Sequence, residues 1–222
     1  MEVFEAKVSQ AGSKDETASG GFSVNFENVK WLYVFSCVAL GLVILSPTFA
    51  MVVTFPEGEK FSEMYVLGPG RLTEDYPFNV VGGGVYRVYL GVGNHMGDLE
   101  YYRVYVKLRN QTEAPPDTFN GTASPLEPIF EYRVFLRDAE TWEKELAFSF
   151  EGVSFEGNFC RVSRLGIDGY VLGVDKVAVW DEENNGFYLQ LFFELWVYNA
   201  TAAGPQFHNR FVGIWLNMTR NL

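Results

Sequence analysis

Cysteine, histidine and basic side chains are all scarce in this chain, and each scarcity removes a class of function. Two cysteines occur in 222 residues, Cys37 inside an apolar stretch and Cys160 far downstream. Such a pair supplies neither a disulfide framework nor a CxxC redox or zinc motif. The two histidines, His95 and His208, lack neighbouring ligands at metal-binding spacing, and a zinc centre needs three or four. Lys and Arg number 17 against 28 Asp and Glu, a net charge of −11. Nucleic acid is bound by neutralising phosphates with basic residues, so it is not an expected partner. Helical periodicity is also missing after residue 55. No glycine-rich segment opens a helix that would cradle a phosphate, and no cofactor is expected.

What the chain does have is one long uncharged apolar run, Trp31–Val53. At about 1.5 Å per residue it spans roughly 34 Å as a helix, enough to cross a hydrocarbon core. Residues 1–30 before it are polar and Gly/Ser-rich, which reads as a flexible tail. Pro47 and Thr48-Phe49-Ala50 resemble a signal-cleavage site, but the leader is acidic and the run too long, so an uncleaved anchor is expected. The flanking charges, Lys30 on one side and Lys60 on the other, leave orientation open. Glycosylation acceptors speak more clearly, because N-x-T occurs at Asn110, Asn120, Asn199 and Asn217, all after the run. About one would arise by chance among these asparagines. The expectation is a single-pass cell-membrane protein with the N-terminus cytoplasmic and residues 56–222 outside.

Residues 56–222 read as strands. FSEMYVL (61–67) ends at Gly68-Pro69-Gly70, the chemistry of a type II turn. Residues 85–92 alternate, with Tyr86, Val88, Leu90 and Val92 on one face, and a turn is expected over 91–98. Residues 101–109 put Tyr102, Val104, Val106 and Leu108 on one face. Residues 110–128 carry four prolines and two acceptors and read as an exposed loop. Strands follow at 130–138 and within 139–152. Two or three short strands are expected over 152–180, then an Asn-Gly hairpin at 181–186, the long strand 187–199 and the last strand 210–219. The fold class is mainly β: an immunoglobulin-like antiparallel β-sandwich preceded by one transmembrane α-helix.

Leu67-Gly68-Pro69-Gly70, Asp75-Tyr76-Pro77 and the Gly91-Val92-Gly93-Asn94-His95 stretch resemble a family of uncharacterised archaeal membrane proteins. Its exterior domain opens with an LGPGG…DYP segment and a strand ending in an NH-type turn. Thr141–Leu146 and Ile214–Thr219 resemble later parts of the same pattern. The resemblance implies an exterior β domain on a membrane anchor. It implies no activity. Family members often carry several helices before this domain, and one is present here.

Two surfaces stand out. Arg87 and Tyr89, then Tyr101, Arg103, Tyr105, Lys107 and Arg109, then Arg133, Phe135 and Arg137 fall on the parity opposite the aliphatic core. As neighbours they would build a basic, aromatic face for an acidic partner, anionic lipid or glycan. Tyr188, Phe192 and Trp196 form a second stripe, covered either by the 151–180 segment or by another subunit. The acids around Trp142 (Asp138, Glu140, Glu143 and Glu145) read as a solvated turn rather than a catalytic pair. Asp181–Asn185 reads as hairpin chemistry rather than a calcium loop. With no catalytic constellation, the expected role is a structural or protein-binding module of the cell surface. A carbohydrate-binding module and an accessory subunit of a membrane complex are the alternatives. Expected partners are membrane lipid through 31–53 and an envelope protein, a second copy or surface glycan at the β domain.

Overall fold

The computed structural model describes residues 26–53 and 59–220, with side chains of the first segment described over 29–45. The expected tail lies almost wholly outside the described residues. The chain divides into two compact units, Met1–Pro56 and Glu57–Leu222. In the first, Phe26–Val53 is a single helix, α1. It continues past Pro47; a proline removes one N–H bond without forcing every helix to end. Among the described residues no helix is long and apolar enough to cross a membrane.

The second unit is mainly β. Its strands are β1 (Phe61–Leu67), β2 (Asn79–Val81), β3 (Val85–His95), β4 (Glu100–Asn110), β5 (Phe130–Leu136), β6 (Thr141–Glu156), β7 (Phe159–Ile167), β8 (Tyr170–Asp181), β9 (Gly186–Asn199) and β10 (Gly204–Thr219). They form one curled sheet. Its first half runs β1-β3-β6-β7-β8. Its second half runs β5-β4-β9-β10-β2. The halves are joined through Trp180–Phe187 and Asp181–Gly186.

The expected alternation is present. Val88, Leu90, Val92, Leu146, Phe148 and Phe150 from the first half share one buried core with Val104, Val106, Leu108, Leu189, Leu191 and Phe193 from the second. Each such side chain contributes about 1.5–3 kcal/mol by leaving water.

Several local expectations change. Gly91–His95 is strand, not turn. Tyr65 pairs across from Gly91, and a Cβ at Gly91 would lie 2.1 Å from the Tyr65 ring. The glycine is there for a neighbour's ring rather than for a bend. The Gly68–Arg71 turn is closed by Arg71 N–H on Gly68 O at 2.9 Å. Arg71, not Gly70, takes the positive φ, 59°, so the turn is not type II. In the 181–186 connection Asn185 has φ 54° while Gly186 already belongs to β9. Asp181 Oδ1 accepts the N–H groups of Glu183 and Asn184. Residues 152–180 hold no short strands: β6 runs through to Glu156, and β7 and β8 are long, with turns at 157–158 and 168–169.

Candidate functional site

Strand register decides which side chains share a surface. Arg87 and Tyr89 lie on β3 in the first half-sheet, whereas the β4 and β5 residues lie in the second. The expected three-strand basic face is therefore not formed. Arg87 pairs with Glu145 at 3.2 Å, the Tyr89 hydroxyl donates to the same carboxylate at 2.8 Å, and Arg71 stacks over the Tyr89 ring. That corner is an ordinary cross-strand network. The acids around Trp142 are likewise dispersed: Glu143 pairs with Arg71, and Asp138 accepts the Gly97 N–H.

A different face forms instead, because β4 also pairs with β9. Arg103 stands opposite both Arg133 and Trp196, Tyr105 opposite Glu131 and Glu194, and Lys107 opposite Phe192. The β4–β5 residues and the Tyr188–Phe192–Trp196 stripe, separate in sequence, thus become one surface. Trp196 pairs onward with Phe207 of β10.

At one end the face is aromatic. Tyr101 stacks on Phe135 at 4.5 Å, Tyr105 meets Trp196 edge-on at 5.2 Å, and Trp196 approaches Phe207 at 6.0 Å. Tyr198 lies 6.3 Å from Tyr101. Arg103 sits among these rings, 5.7 Å over Tyr101. The flanking Tyr105 and Tyr101 side chains raise its guanidinium above the ordinary value. Among the described residues its one ion pair is loose, 3.9 Å to Glu131, which also pairs with Arg133, and its buried Nε has no hydrogen-bond partner there. Phe135 and Tyr198 are exposed, and Tyr101, Tyr105 and Trp196 half-buried. Arg137 is exposed at the end of β5.

At the other end the face is covered, which corrects two expectations. Lys107 and Arg109 do not project into solvent; they are 3% and 9% exposed. Lys107 Nζ pairs with Glu194 at 2.8 Å and donates to Ser124 O at 2.9 Å. Glu194 Oε1 in turn accepts the Ser124 N–H at 2.8 Å. Arg109 donates to Gln190 and to Glu113 O and lies over Trp215. The 111–129 loop is thereby tied onto the sheet and lies over this end. Phe192 is fully buried; Tyr188 donates from its hydroxyl to Asn184 O.

The acceptor asparagines differ. Asn120 is exposed on that loop, its amide donating to Asp117. Asn110, Asn199 and Asn217 are half-buried, their amides donating to Val177 O, Gln206 and Asn79 respectively.

Sequence inspection missed a second polar cluster. His208 Nε2 lies 3.0 Å from Ser62 Oγ, which is 2.7 Å from the Tyr102 hydroxyl. That hydroxyl donates to Asn94 Oδ1 at 3.1 Å. Ser62, Asn94 and Tyr102 are essentially fully buried, so the serine meets no substrate and the cluster satisfies polar groups of the interior. Only its pairing across the fold reveals it. Among the described residues no group of acids, histidines and cysteines has the arrangement of a metal site.

Residues 56–161 match the model of a family described as DUF1616, a domain of unknown function. No curated protein matches the chain. Among solved structures, a beta-glucosidase from Listeria innocua in complex with glucose is similar over 74% of this chain at 9% identity and TM-score 0.33. The same enzyme with gluconolactone gives 11% identity and TM-score 0.31. The chain spans 17% of the length of that enzyme, and a likeness this low fixes neither fold nor activity.

Proposed function

We propose that this chain is a single-pass membrane-anchored cell-surface protein whose β unit is a protein-binding module. The observation that carries this is the half-exposed cluster of Tyr101, Arg103, Tyr105, Phe135, Trp196 and Tyr198 on one sheet face. Tyr, Trp and Arg are the side chains that dominate binding energy at protein interfaces, and Arg103 stands among these rings with only a loose ion pair to Glu131. Glycan stacking on the same rings is the second reading, favoured by the exposed Tyr101–Phe135 stack. Tyr89, which that reading first included, lies on the other half-sheet.

An immunoglobulin-like sandwich is the architecture we infer. It is supported by the strand order: β1-β3-β6 follows A-B-E and β4-β9-β10 follows C-F-G, with β5 at the C′ edge and the β7–β8 hairpin, inserted between E and F, standing beside E where D would lie. The anchor is supported by the uncharged run Trp31–Val53 lying within α1 and by exposed apolar side chains around it, among them Trp31, Leu32, Phe35, Val38 and Val43. An exterior β unit with glycosylation at Asn120 agrees with its exposure.

The test is a photo-crosslinking residue placed at Phe135 or, as control, at the exposed Phe159 of the first half-sheet, in intact cells. A protein captured from position 135 and not from 159 is the expected result. Capture of glycan from 135 selects the second reading, and equal yields from both positions remove the face as a binding site.

A further inference from the structure

One seam of the curled sheet is left unpaired. β1 ends the first half-sheet, and β2 covers β10 only at Asn217–Thr219. The direction of the free main-chain groups follows from their neighbours. Asn94 N–H donates to Glu140 O, so Leu90, Val92 and Asn94 turn their main-chain groups toward β6. Their antiparallel partners Ser62, Met64 and Val66 therefore point away from β3. In the same way Asn217 N–H donates to Phe78 O, so Phe211, Gly213 and Trp215 point away from β9. Ser62 O is taken by Arg210 at 3.3 Å and Val66 O by the Tyr76 hydroxyl at 2.9 Å. Among the described residues no main-chain bond on this side is made by Met64, Phe211, Gly213 or Trp215.

Between these edges lies a groove of about 710 Å³ whose walls include Met64, Val66, Tyr76, Phe78, Phe211 and Trp215, with no charged side chain among its lining. Natural sheets blunt exposed edges with lysine, proline or a bulge. β10 has its register shift at Phe207/Arg210, and 211–216 has none of these devices.

We propose that this seam receives an extended, uncharged segment of a partner polypeptide by strand addition. A strand is the chemistry that matches both walls, since it carries N–H and C=O groups on both edges at the same alternation. A sugar or lipid tail offers no such repeat. A charged segment would lose hydration against a lining with no counter-charge. Residues 211–215 span about 16 Å at about 3.3 Å each, which sets a core segment of about five residues. A second copy is disfavoured by charge: 14 basic against 23 acidic residues follow position 53, so two β units repel. The seam is independent of the aromatic face, and neither proposal rests on the other.

The test uses the full-length chain in lipid nanodiscs and amide hydrogen exchange. The probe is the blocked heptapeptide of alternating threonine and valine, compared with a twin N-methylated at every second residue. The expected result is exchange slowed ~10-fold across 61–67 and 210–216 by the probe at millimolar concentration, with no slowing by the twin. Met64→Pro, which removes an edge N–H, weakens the effect while the melting temperature shows that the variant still folds. Unchanged exchange with the probe overturns the proposal. So does equal protection by the methylated twin, or protection that rises with protein concentration alone, which would make a second copy the occupant.

Discussion

Lys107 and Glu194 illustrate how much of this surface is decided one residue at a time. The pair is almost completely buried and its remaining groups are bonded to Ser124 and Trp196. Removing one member leaves a charge without its partner in a dry site, so Lys107→Ala should destabilise the β unit by about 3–5 kcal/mol. The double variant Lys107→Met/Glu194→Leu should lose much less, as read by denaturant unfolding. Parity alone places Lys107 on the correct face; what parity does not reveal is that the loop following its own strand closes over it. His208 is a second case. Burial, and then the nearby Arg210, hold its imidazole below the ordinary value. The unfolded chain therefore binds a proton near pH 6.5 that the folded chain refuses. The stability contribution is complete above that pH and is lost as pH falls toward the folded value. Melting temperature should drop between pH 7 and 5, and His208→Gln should flatten the drop; an unchanged slope removes His208 as its source.

At the scale of elements, glycine spacing and strand pairing are linked. Gly91 and Gly93 look like a turn because glycine frees the backbone, yet both lie in β3. Gly91 makes room for the Tyr65 ring of β1. Gly91→Val should therefore lower stability by about 1–3 kcal/mol through overpacking, and Tyr65→Ser in the same chain should restore part of it. Additive losses in that double-mutant cycle would show that the two positions do not touch. β9 is legible only in part. Phe187, Leu189, Leu191, Phe193 and Leu195 alternate with polar and aromatic residues and join the shared core, but Gln190, Phe192 and Glu194 of the other parity are buried too.

At the scale of the whole β unit, the two half-sheets share one core and are joined through two residue pairs between β8 and β9. Neither half buries its apolar face alone, so they should unfold together. Leu146→Ala in the first half and Leu191→Ala in the second should each destabilise by about 2–5 kcal/mol. Each should move a single transition seen equally by tryptophan fluorescence and circular dichroism. Separate transitions for the two probes would mean that the halves fold apart.

The sequence by itself determined that most residues after 56 form strands, which parity of β3 and β4 faces the core, and that no metal or redox motif is present. These are local properties, set by side-chain alternation and residue type. The tertiary structure decided which outward faces meet. Pairing of β4 with β9 joined two stripes about 90 residues apart in the chain and excluded Arg87 and Tyr89. It also decided that the 111–129 loop hides Lys107 and that the seam between β1 and β10 stays open. Such facts depend on long-range register, and a one-dimensional pattern of alternation is the same whichever strand lies alongside.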